Sequence, residues 1–187
     1  MISINSHLTM DEAQQIANSK KDIFYFEPLY KAHYKSVYKF VGNRIASNDD
    51  VKDLVSQVFL KAMSKIGKYQ AIGQGFSAWL FRIAFNEIAD FYRHKNKRIF
   101  INIEENGIEK LQEESGLELD STEGQAMLAN VLLQLNKDEI QLIQLRYFDA
   151  LSYFEMATIL NCTESNARVK TFRTIKKLQN IYPNETK

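Results

Sequence analysis

Five basic side chains, Arg168, Lys170, Arg173, Lys176 and Lys177, crowd the stretch 168–177. Cations at that density attract anions, and the residues ahead of them supply a frame that would aim them at duplex DNA. Ser152 with Glu155 makes a capping box before Met156, Ala157 and Leu160. Asn161 stands where a turn wants a positive φ, and Thr163 caps a second helix whose Ala167, Thr171, Ile175 and Leu178 recur at inward spacing. This is the pattern of a helix-turn-helix, whose second helix enters the major groove with its N-terminal residues against the base edges. The candidate DNA contacts are Thr163, Ser165, Asn166, Arg168, Lys170, Arg173 and Lys176. Arg168 and Lys170 are expected nearest the bases, Arg173 and Lys176 nearer the phosphates.

A second constellation pairs aromatic and basic groups: Phe76, Arg82, Asn86 and Arg93, running into Lys97 and Arg98. Unstacked bases are held by aromatic faces and their phosphates by cations, while the amide of Asn86 can both donate and accept. Phe76, at a loop edge, is expected to meet a strand; Trp79 and Phe91 fit a core. Catalytic alternatives are poorly supplied. There is no Gly-rich phosphate loop or Ser-His-Asp arrangement. A single Cys162, expected as a small buried apolar side chain, and scattered His7, His33 and His94 give no zinc-ligand spacing. No enzyme activity, metal or cofactor is implied.

The elements that must position these groups read as helices. Seven Gly and two Pro in 187 residues leave long stretches uninterrupted. Thr9 with Glu12 opens a first helix, and Pro28 suits the first turn of a second carrying Tyr30, Tyr34, Val37, Tyr38, Val41 and Ile45. After 47–50, where Asn or Asp can cap, Val51, Leu54, Val55, Val58, Phe59, Ala62, Met63 and Ile66 form the cleanest apolar stripe. A loop with glycines, 68–75, precedes the aromatic helix from Phe76 into 93–98. Beyond 122, Met127, Leu128, Val131, Leu132 and Leu135 mark one helix, and Asn136 with Glu139 caps the next.

The formal net charge of +1 averages segments of opposite sign. Between the two basic clusters lie Glu104, Glu105, Glu109, Glu113, Glu114, Glu118, Asp120 and Glu123 against Lys110 alone. This stretch loses clear periodicity and fits a flexible connector. The expected fold is all-α: two small helical domains, 8–98 and 123–182, joined by an acidic linker, 99–122, the second ending in the helix-turn-helix. No apolar run approaches the roughly 20 residues that cross a bilayer, and the N-terminus lacks a signal-peptide pattern. A cytoplasmic protein without direct membrane insertion is expected.

Three ordered stretches, 50–62, 76–93 and 145–157, together resemble the signatures of bacterial RNA polymerase sigma factors of the extracytoplasmic-function (ECF) kind. The resemblance spans nearly the whole chain. It implies a first domain that grips the polymerase clamp through Asp50, Asp53, Leu54 and Gln57 and melts the downstream promoter element, with the loop 68–75 receiving a flipped base. It implies a second domain that reads the upstream element, a connector that threads into the polymerase, and as partners core RNA polymerase, promoter DNA and an anti-sigma factor. The chain departs from the pattern at Lys52, Ser56, Gln57, Ala167 and Phe172, which bears on individual contacts and on promoter sequence. From the residues alone, a stand-alone helix-turn-helix regulator and a scaffold with basic faces remain alternatives; the clamp-like helix is surplus to both.

Overall fold

The computed structural model describes residues 10–71, 75–95, 105–117 and 121–182, and every regular element among them is helical. The chain divides into two compact units, Ile2–Asn102 and Ile103–Lys187.

In the first unit α1 (Met10–Lys21), α2 (Glu27–Gly42), α3 (Asn48–Lys65) and α4 (Phe76–Lys95) are joined by short 3-10 turns at Ile23–Phe26 and Ile66–Lys68. The expected Thr9 cap lies outside the described residues; its partner Glu12 pairs with His33 at 2.8 Å, tying α1 to α2. Pro28 does sit in the first turn of α2. The cap of α3 is Ser47, whose hydroxyl accepts from the Asp50 N–H. The stripe from Val51 to Ile66 is buried as expected, apart from half-buried Met63. Phe40 of α2 stacks on Phe81 of α4 at 4.7 Å. Arg44 is buried with its guanidinium 3.9 Å from the Phe40 ring, and the Tyr92 hydroxyl donates to the Arg44 carbonyl. These contacts pin the far half of α4 to α2 and fix which face of α4 meets water.

Phe76 departs from expectation. Its side chain is fully buried, with ring centroids of Phe26, His33, Tyr69 and Trp79 at 5.2–6.3 Å. The first turn of α4 points this ring into the aromatic centre beneath α1 and α2, so it is a core residue and not a strand contact. The neighbouring Tyr69 phenol is pushed up to about 12, first by burial and then by the charge of Glu12.

The second unit contains α5 (Glu105–Ser115), α6 (Thr122–Leu132), α7 (Lys137–Ile143), a π-helical turn at Gln144–Phe148, α8 (Tyr153–Leu160) and α9 (Glu164–Ile181). The capping boxes Asn136–Glu139 and Ser152–Glu155 are both formed. Asn161 adopts φ 53° and ψ 49°, the left-handed turn conformation that Asn tolerates better than most side chains. Thr163 caps α9 by accepting from the Asn166 N–H. Cys162 is half-buried, not enclosed.

The acidic stretch 99–122 is not linker throughout. α5 packs against the π-helical turn and α9, burying Ile108 and Leu111, and Leu117 just past its end is buried too. Gly107 permits the approach, since a Cβ there would lie 2.2 Å from Phe148 Cδ1. Three widely spaced apolar residues among many acids give a narrow stripe, which is why the composition reads as connector while the geometry makes α5 part of the second unit.

Candidate nucleic-acid interface

Within α4, Arg82, Asn86 and Arg93 are separated by four and seven residues, which places them on one face of a helix. That face is turned outward: Asn86 and Arg93 are exposed and Arg82 is half-buried. Arg93 pairs with Asp90 one turn back. The face can offer an amide to base edges and guanidinium groups to phosphates. Lys97 and Arg98 lie outside the described residues.

A cleft of about 440 Å³ runs between α3 and α4. Asp50, Asp53, Leu54 and Gln57, named from the sequence, all line it, together with Lys61, Glu87, Asp90, Phe91 and His94, which the sequence reading did not single out. Asp53 and Gln57 are exposed, whereas Leu54 is 4% exposed and acts chiefly as the apolar floor. The Glu87 carboxylate is buried and meets the Lys61 ammonium, which locks α3 to α4. The only signal for Glu87 was an acid at an inward helical position, which calls for a cationic partner when buried. With four carboxylates against one lysine and one histidine along its walls, the cleft suits a basic partner surface.

In α9 the side chains form ridges. Ser165, Val169, Phe172 and Lys176 make one outward row; Asn166, Lys170 and Arg173 make the next. Ala167, Thr171, Thr174, Ile175 and Leu178 are buried on the opposite side. At about 100° per residue, Arg168 and Lys170 project about 160° apart. The two side chains therefore leave α9 toward different flanks, and one groove would not receive both in the same way. Arg168 lies at the flank, 4.6 Å from the Tyr153 ring and 3.3 Å from Glu164. Exposed Val169 and Phe172 had been passed over in favour of charges, although apolar side chains can contact thymine methyls. Lys177 turns back instead, its ammonium 2.7 and 3.0 Å from the two Glu139 oxygens. Burial works against the charge of Glu139, but the bonds from Lys177 and the Asn136 backbone hold its carboxyl below the ordinary range.

The two units correspond to two known sequence families. Residues 29–98 match Sigma-70 region 2, and residues 125–178 match Sigma-70, region 4. The ECF RNA polymerase sigma-E factor of Escherichia coli (strain K12) is 30% identical over 162 residues, covering 81% of this chain and 84% of that protein. The chain belongs to the ECF subfamily of RNA polymerase sigma factors. Another relative of this sigma factor, the ECF RNA polymerase sigma factor BldN of Streptomyces coelicolor, is 28% identical; the match covers 87% of this chain but 62% of that longer protein. Among solved structures, CnrH in complex with the cytosolic domain of CnrY superposes with a TM-score of 0.60 at 21% identity, covering 91% of this chain and 96% of that one. The sigma factor RpoE of Bartonella quintana, in complex with the anti-sigma factor NepR, gives 0.54 at 20% identity, covering 83% and 94%. Both share the fold.

Proposed function

We propose that this sigma factor joins core RNA polymerase through the acidic α3–α4 cleft, captures the opened downstream element along the outer face of α4, and reads the upstream element with α9. The observation that carries this reading is the separation of surfaces: an acidic cleft and a basic, amide-bearing face stand on one unit, and a capped recognition helix on the other. RNA synthesis itself falls to the polymerase. Control by a protein partner fits two similar folds solved in complex with a second protein, CnrH with the cytosolic domain of CnrY and RpoE with the anti-sigma factor NepR. The direct test is run-off transcription with purified core polymerase on selected promoter fragments. Initiation at a defined site that requires the added chain supports the reading, and its absence on every selected fragment defeats it.

The α4 assignment can be tested separately. Asn86→Ala is expected to reduce open-complex formation and relax preference within the downstream element, because an amide reads bases. Arg93→Ala should weaken binding evenly across sequences, as a phosphate contact does. Permanganate footprints identical to wild type in both variants would refute these roles.

The outward ridges of α9 support a reading in which Asn166, Val169 and Lys170 lie nearest the bases, with Ser165, Arg168, Arg173 and Lys176 toward the backbone. Lys170→Ala is expected to change specificity at one position and to cost about 1–3 kcal/mol there. Arg168→Ala should lower affinity for all sequences and reduce the salt slope by about one. Titration against randomised duplexes at several salt concentrations distinguishes them; an exchange of the two phenotypes would mean a different docking register.

A further inference from the structure

The Tyr153 ring is flanked by two guanidinium groups, Arg146 and Arg168, each 4.6 Å from its centroid. Arg168 belongs to the first turns of α9, so Arg146 is held beside the recognition helix although it comes from the π-helical turn. Its partner is an acid from α5: Arg146 Nη2 lies 2.8 Å from Glu114 Oε1, and the Tyr147 hydroxyl donates to Glu114 Oε2 at 2.7 Å. The Tyr147 phenol is raised well above its ordinary range, first by burial and then by that bond, so it remains a donor. Glu114 also borders a hollow of about 300 Å³ whose rim carries Arg168, Phe172 and Lys176.

A planar pair of carboxylate oxygens is held by a guanidinium and a phenol beside the helix assigned to DNA reading, so these two donors already accept one anion. We propose that Arg146 and Tyr147 form an anion site for a DNA phosphate and that Glu114 fills this site from within the chain until α5 moves away. The proposal rests on the reading of α9 as the DNA-binding helix. It makes α5 an internal competitor: with α5 docked, the carboxylate both occupies the donors and repels an incoming phosphate. Whatever draws α5 from its seat opens the site. Besides Glu114, the seat is held by Ile108, Leu111 and the Gln179 side-chain bond to the Ser115 carbonyl at 2.6 Å.

The test is a set of anisotropy titrations of the full chain against a labelled random-sequence duplex at several salt concentrations. Glu114→Gln is expected to bind about 5- to 10-fold more tightly, the equivalent of one ordinary hydrogen bond, and to show a salt slope steeper by about one. Glu109→Gln makes the same charge change on an exposed position of α5 and should alter affinity less than about twofold, as expected for a screened surface charge. In an Arg146→Gln background the gain from Glu114→Gln should vanish, which a general electrostatic effect would not produce. Gly107→Ala, which removes no charge but pushes α5 off Phe148, should also raise affinity. Equal gains from the two glutamate variants, or a gain that survives in the Arg146→Gln background, would overturn the anion site. Absence of duplex binding by every variant would instead sink the DNA-binding reading beneath it.

Discussion

Phe76→Ala is expected to cost the first unit about 3–5 kcal/mol, the range for emptying a buried phenylalanine site, and so to leave little folded protein at moderate denaturant. The ring is fully buried and touches aromatic groups from α2, α4, the first 3-10 turn and Tyr69 just past the second. Phe76→Leu keeps most of the apolar volume and should cost less than half as much. Urea titrations followed by circular dichroism give both numbers. If Phe76→Ala left stability unchanged and altered only strand opening, the side chain would be a surface contact and its placement here would be wrong.

The second large effect belongs to the α3–α4 cleft. Asp53→Arg combined with Gln57→Ala is expected to lower affinity for core polymerase about 30-fold, the loss associated with one interface hot spot. Both positions are exposed and lie outside the apolar stripe of α3, so the thermal midpoint should stay close to wild type. Calorimetric titration against purified core enzyme measures the first quantity and a melting curve the second. A folded double variant with undiminished affinity would exclude this wall of the cleft from the interface.

Much of the helical frame was legible because local signals agreed with one another. Capping boxes at Asn136 and Ser152, the left-handed Asn161 and the stripe from Val51 to Ile66 each depend on residues within a few positions, and each is formed. Features that depend on distant partners were harder to read. Phe76 looks like a loop-edge aromatic until Phe26 and Tyr69 arrive from elsewhere in the chain. Tyr30 and Tyr34 share helical spacing with core residues, yet each stays more than a third exposed and they pack on each other at 5.3 Å. Arg168 and Lys170 look equivalent as neighbours in a basic run, and only the helical rotation between them separates their directions. Glu87 and Arg146 were visible as residues but not as sites, since their meaning comes from Lys61 and Glu114, contributed by other helices.

The seating of α5 also bears on how the second unit could be trimmed. A chain cut to begin at residue 123 would retain the whole helix-turn-helix, yet it would shed the Ser121 cap of α6 and the α5 backbone at Gly107 that lies against Phe148. Uncovering Phe148 would add apolar surface to a unit that already exposes Phe172, a combination that favours self-association over solubility. Shortening at the break in composition would thus yield a sticky fragment, while a cut ahead of residue 103 would carry its own cover.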